Sequence, residues 1–132
     1  MLIEQAILTA LKADSTLTAL TGSRIYYVIA PQIVTTPYLV FFKVSGVRVS
    51  SHDGGSGLVD ARFQFSCFGE TYKACKDMTV AIQGLLEGFS GTLGGTGGVV
   101  VGGCYYLDEQ DFYEGDSKLY HVAVDYRFWH NE

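Results

Sequence analysis

This chain is short of prolines, cysteines and basic residues. Proline occurs only at Pro31 and Pro37, which confines the strongest backbone punctuation to one region. The three cysteines, Cys67, Cys75 and Cys104, are odd in number and contain no C-x-x-C pair. That pattern excludes a disulfide framework and a zinc site of the usual spacing, and it favours buried free thiols. Cys67 fits this directly, being in phase with Val59, Ala61, Phe63 and Phe65. Lysine and arginine total nine against fourteen acidic residues, for a net charge of -5. The nine are scattered, which argues against a nonspecific grip on nucleic acid, because phosphate binding needs clustered cations. No window approaches the ~20 apolar residues of a membrane span, and Met1-Leu-Ile-Glu-Gln lacks the basic start of a signal peptide. A chain made and kept in a cytoplasm is expected.

What is present is a globular balance: 48% hydrophobic and 17% charged residues in 132. That length fits a single domain, residues 1–132, burying roughly two thirds of its unfolded surface. Leu2, Ile3, Ala6, Ile7, Ala10 and Leu11 recur at helical spacing and predict an amphipathic helix ending near Asp14. Asp14 or Ser15 caps a short helical turn, which Gly22 closes. Arg24 to Ile29 reads as a short strand stopped by Pro31. From Tyr38 to Ser50 the strand pattern slips phase, with Gly46 as the candidate bulge. After the polar loop Ser51 to Gly57, Leu58 to Phe68 alternates strictly, so the two strands form a hairpin. Its arms are long enough to reach roughly 35–40 Å at ~3.3 Å per residue, and a neighbouring subunit is the simplest cover for the outer part. Tyr72, Cys75, Met78, Ile82, Leu85, Leu86 and Phe89 predict the most secure helix. Gly91 to Gly98 reads as a loop, Val99 to Leu107 as a strand interrupted at Gly102-Gly103, and Leu119 to Trp129 as the last strand. On that strand Tyr120, Val122, Val124, Tyr126 and Phe128 face one way, and His121, Asp125, Arg127 and Trp129 the other. The order predicts an α+β fold: a mostly antiparallel sheet of about five strands, two helices packed on one face, and a long projecting hairpin.

The residues offer little chemistry. The glycine-rich stretch follows a helix and precedes a strand, the reverse of a phosphate-binding loop, and lacks Gly-Lys-Ser/Thr. Asp108, Glu109, Asp111, Glu114 and Asp116 place five acids within nine positions, but a calcium-loop register from Asp108 fails at Gln110 and Phe112. A solvated turn, or one facing cations on another chain, is the better reading. Ser51, His52 and Asp53 hold the residue types of a catalytic triad, yet chain neighbours rarely form the required relay. His121 and His130, with Asp125 and Arg127, read as a wet or interfacial strand face rather than a metal site, and Trp129 as an anchor for the C-terminus. No nucleophile, base and oxyanion set converges, so no enzyme, cofactor or metal is expected.

Several stretches are read together for resemblance: Leu2-Ile-Glu-Gln-Ala-Ile-Leu-Thr-Ala-Leu-Lys-Ala-Asp14, Thr21-Gly-Ser-Arg-Ile-Tyr26, Ala30-Pro-Gln32, Thr36-Pro-Tyr-Leu-Val40 and Val44-Ser-Gly-Val-Arg48. With Leu107-Asp-Glu-Gln-Asp-Phe-Tyr113 and Tyr120 to His130, the chain resembles the tail-completion, or tail-to-head joining, proteins of tailed phages and prophages. The resemblance implies a structural subunit of the virion tail or neck, made in the host cytoplasm. It implies a homohexameric ring that caps the tail tube, stops its growth and meets the head connector, with DNA passing through the lumen unbound. It brings no membrane, cofactor or catalytic residue. Its expected contacts are His52, Asp53, Asp108, Glu109, Asp111, Glu114, Asp116, His121, Arg127 and Trp129. Acids at a lumen would keep DNA from sticking. The rival reading is a monomeric α+β domain that binds a small ligand or a protein, without a virion role.

Overall fold

In the computed structural model, which describes residues 1–51 and 54–131, the opening apolar stripe is a helix, α1 (Ile3–Ala13), burying Ile3, Ala6, Ile7 and Leu11. Gln5 Oε1 accepts from the Leu2 N–H at 3.0 Å, satisfying a donor that the first turn leaves free. Asp14 separates α1 from α2 (Ser15–Thr21): its carboxylate accepts from the Leu17 N–H at 3.0 Å, and Gly22 ends α2 at φ +62°. The third helix, α3 (Tyr72–Leu86), starts where the Thr71 hydroxyl accepts from the Ala74 N–H at 3.1 Å. It buries Cys75, Met78, Ile82 and Leu86 of the predicted stripe, whereas Tyr72 is exposed and Phe89 lies beyond the end of the helix.

Among the described residues six strands form one sheet: β1 (Ile25–Tyr27), β2 (Tyr38–Ser51), β3 (Gly54–Gly69), β4 (Gly91–Leu93), β5 (Val99–Glu114) and β6 (Leu119–Asn131). Their order is β1-β2-β3-β6-β5-β4. Only β1 and β2 pair in parallel; the other four neighbouring pairs are antiparallel. The α+β class and the antiparallel character hold, but the expected five strands and two helices become six and three. The short turn after Asp14 is long enough to be a helix, and the glycine-rich stretch supplies β4. Gly94, which follows β4, lies so close to α1 that a Cβ there would sit 2.8 Å from the Ala6 Cα. Close packing on a helix, as well as loop flexibility, therefore uses this glycine.

Other boundaries moved for local reasons. β1 ends at Tyr27 because Val28 adopts φ +72°, a conformation a β-branched residue rarely takes. The bulge in β2 falls at Val44, where the register steps from Lys43↔Phe63 to Ser45↔Arg62, two residues before the predicted Gly46. The largest correction concerns the acidic segment. β5 does not stop at Leu107; it runs on to Glu114, so Asp108, Glu109 and Asp111 are strand residues paired with β6, and the turn is 115–118. The long hairpin also projects less than expected, since β6 lies beside β3 from Gly69 to Leu58. Its tip residues His52 and Asp53 lie outside the described residues.

A single core lies between the helices and one face of the sheet. At its centre Phe41, Phe63, Phe65, Tyr126 and Phe128 are fully buried. Phe41 stacks on Phe65 at 5.7 Å, and Phe63 meets Phe128 edge-on at 5.5 Å, arrangements that suit the ring quadrupoles.

Candidate functional site

Directly opposed residues of antiparallel strands share a face, so the register sorts every strand residue onto one of two surfaces. The helix-covered face holds Phe41, Phe65, Val124 and Glu109 in one row and Leu39, Cys67, Val122 and Asp111 in the next. The opposite face holds Tyr38, Phe68, His121 and Phe112 in one row and Phe42, Gln64, Asp125 and Asp108 in another. This second face is the candidate functional surface, because its side chains are not consumed by the core.

The aromatic row is a continuous stack: 4.8 Å from Tyr38 to Phe68, 4.2 Å from Phe68 to His121, and 5.4 Å from His121 to Phe112. Above it, buried Asp125 accepts from Arg62 Nε at 2.9 Å, from Arg62 Nη2, and from Gln64 Nε2 at 3.0 Å. Arg62 and Arg127 are directly opposed across β3 and β6. Each is offset by a diagonal acid, since Arg127 Nε also lies 3.1 Å from Asp60. Arg127 additionally sits 5.7 Å from the Trp129 ring. The second face of β6 is thus less wet than its sequence suggests: Asp125 is buried and His121 half-buried.

The acidic segment is divided. The bulge at Leu107 and the alternation after it put Glu109 and Asp111 on the helix side, where Lys76 of α3 donates to Glu109 and, at 3.2 Å, to Asp111. The Tyr72 hydroxyl donates to Asp111 at 2.7 Å, and this bond, with Lys76, holds the Asp111 carboxyl below its ordinary range. Asp108 and Glu114 belong to the second face, and Asp116 is exposed in the turn. Five acids adjacent in sequence therefore do not make one patch.

His121 and His130 do not meet, because they occupy opposite faces of β6; His130 is buried beside Val59 and Val101. Among the described residues no cluster of three His, Cys, Asp or Glu could hold a metal ion. Cys67, on the helix face, is likewise separated from His121 by the sheet. Burial raises Cys67 well above its ordinary value, Cys75 to about 11 and Cys104 to about 12, so all three remain thiols at neutral pH. No described helix is long and apolar enough to cross a membrane.

His121 yields a pH prediction. Its Nε2 is buried with no hydrogen-bond partner among the described residues, and burial lowers its pKa, opposed by Glu114 at 3.9 Å from Nδ1. The unfolded chain, at about 6.5, thus binds its proton before the folded one does. The stability contributed by neutral His121 is complete above about pH 6.5 and falls as pH drops toward the lower folded value. Urea unfolding at pH 7.5 and 5.0 should show a larger loss for the wild type than for His121→Phe. Equal losses in the two proteins would refute the assignment.

Sequence reasoning missed three features. The Arg62–Asp125–Gln64 cluster needs strand register to be seen. Val28, Ile29 and Ile33 form an exposed apolar loop, with Ile33 94% accessible, entered through the positive φ at Val28. Lastly, the outer strands are covered over only part of their lengths.

Comparison with known proteins bears on the whole fold. The family profile described as "Tail completion protein gp17" matches residues 5–131. No curated protein matches. A solved structure titled "Virion of native gene transfer agent (GTA) particle" contains a chain that is 18% identical, superposes with a TM-score of 0.80, and aligns over 97% of this chain and 94% of that one.

Proposed function

The chain belongs to the tail completion protein family, and from that premise we propose that this structural tail protein acts as a ring at the head-proximal end of a phage-type tail. The ring, a homohexamer, caps the tail tube, ends its growth and presents a surface to the head connector in the neck of the virion. DNA passes through the lumen without specific binding. The similarity of the fold to a chain from a gene transfer agent particle is consistent with a virion setting. A family of structural tail proteins is also consistent with a role that involves no catalysis.

The observation that carries the ring reading is the unfinished sheet: β1 and β4 cover only three residues each of the long outer strands β2 and β5. Heterologous surfaces of this kind form a ring where the rotation between subunits closes. Asp108, Glu114 and Asp116 are the acids offered to a lumen or an adjoining ring, since Glu109 and Asp111 are tied to Lys76. His121, Arg127 and Trp129 belong to the same second face and are proposed as contacts, as are His52 and Asp53, which lie outside the described residues.

Light scattering and negative-stain imaging should show rings with a central hole, formed at high concentration or on tail tips. Purified protein added to particles lacking this component should restore head–tail joining. Failure of that restoration with correctly folded protein would defeat the proposal.

A further inference from the structure

Both outer strands stop being covered at defined places. β1 flanks β2 only from Leu39 to Phe41, and β4 flanks β5 only from Val99 to Val101. The Gly88 N–H donates to the Cys104 carbonyl at 2.9 Å and closes one more position. Among the described residues no strand lies outside Phe42–Val47 or outside Tyr105–Glu114. Such edges present unpaired backbone groups and are normally blunted. Here they also carry exposed apolar side chains: Val44 and Val47 on β2, and Tyr105, Tyr106 and Leu107 on β5.

Charge decides which edges can meet. From Tyr38 to Ser51, β2 contains Lys43 and Arg48 and no acid; from Tyr105 to Glu114, β5 contains Asp108, Glu109, Asp111 and Glu114 and no base. Two β5 edges would repel one another, and so would two β2 edges, whereas a β2 edge attracts a β5 edge. Lys43 already contacts Glu4 at 3.1 Å, and Glu109 and Asp111 already contact Lys76. The charges therefore select the partner more than they bind it.

Direction and register agree with this choice. Along the sheet β2, β3, β6 and β5 alternate in direction, so rotation about an axis along the strands sets β5 of one copy antiparallel to β2 of the next. Traced through β3 and β6, Phe42 is level with Asp108, and Ser45 with Tyr105. Between those levels each outer strand has one extra residue, Val44 in β2 and Leu107 in β5. Placed side by side, the two bulges cancel: Phe42-Lys43-Val44-Ser45 runs unbroken against Asp108-Leu107-Tyr106-Tyr105.

We propose that the β2 edge of one copy at Phe42–Val47 accepts the β5 edge of a second copy beginning at Tyr105–Asp108, continuing the sheet from subunit to subunit. This rests on the ring reading and specifies its contact. The backbone bonds supply attraction independent of side-chain identity, and the exposed valines and tyrosines are covered by the same step.

The test uses the buried state of all three native cysteines. Ser45→Cys and Tyr105→Cys are made as separate variants at exposed positions, mixed, assembled and treated with a short bis-maleimide. A covalent dimer is expected in the mixture and in neither variant alone, and the S45C/Y105C double variant should give a ladder up to the ring size. Val44→Cys with Tyr106→Cys provides a second level pair should either first variant fold poorly. Rings without a mixed cross-link at either pair, or cross-links within a single-variant sample, would overturn the edge assignment while leaving the ring intact. Absence of any ring would defeat the ring reading and this inference together.

Discussion

Phe65→Ala is expected to cost about 3–5 kcal/mol of folding stability, the usual range for emptying a buried phenylalanine site. Phe65 is fully buried, with ring centroids 5.7 Å from Phe41, 5.9 Å from Tyr126 and 6.5 Å from Phe128. These neighbours lie on β2 and β6, the two strands that flank β3, and cannot all move inward without disturbing the pairing. Because small domains hold only about 5–15 kcal/mol in total, a loss of this size should lower the urea midpoint sharply with an unchanged slope. Val100→Ala, at an exposed position of β5, is the control and should stay within about 0.5 kcal/mol. A Phe65→Ala cost near that of the control would mean that the aromatic cluster is not the centre of the core.

Removing the Asp125 carboxylate comes next in size. Breaking a buried ion pair by deleting one partner costs about 3–5 kcal/mol, because the other charge is left unpaired. The Arg62 side chain retains 41% of its accessibility and can turn toward water, so Asp125→Ala is expected nearer about 2–3 kcal/mol. Replacing the whole pair with Arg62→Met and Asp125→Leu should recover most of that loss, since no charge is then stranded. A double-mutant cycle should return a coupling of more than about 1 kcal/mol. Strict additivity would show that the two side chains do not act as a unit. The double variant, if folded, also separates stability from assembly: a stable monomer that no longer forms rings would place the second face in the subunit contact.

Much of the fold was legible because its signals are local. The Ile3–Leu11 stripe, the Asp14 cap, the Gly22 stop and the spacing of Cys75, Met78, Ile82 and Leu86 depend on neighbours within a turn or two. Strict alternation in β3 and β6 likewise gave the two faces of each strand before any partner was known, and Cys67 was placed correctly by phase alone. The misreadings have a different origin. Glycine marked Gly91–Leu93 as a loop, yet pairing with Val99–Val101 made it part of the sheet, and Gly94 just after it packs on Ala6. Acidity marked the segment from Asp108 onward as a turn, yet Lys76 and Tyr72 offset two of the charges and allowed β5 to continue.

The candidate surface was less legible because it is made of relations between strands. Sequence named Asp108, Glu109, Asp111, Glu114 and Asp116 as one group; strand alternation put Glu109 and Asp111 on the face opposite to Asp108 and Glu114, and the Leu107 bulge decided which of the two sets faces the helices. One extra residue in a strand reverses the side on which all later residues fall, and no periodicity can reveal it where polar residues occupy both faces. Local pattern by itself determined α1, α3 and most of the long strands, that the thiols are buried, and, through chain-wide resemblance, the tail-completion family. Strand order and register were left to the tertiary structure, because they arise from contacts between residues as far apart as Arg62 and Asp125. Those contacts decide which acids share a face, and which two edges of the sheet remain open for another copy.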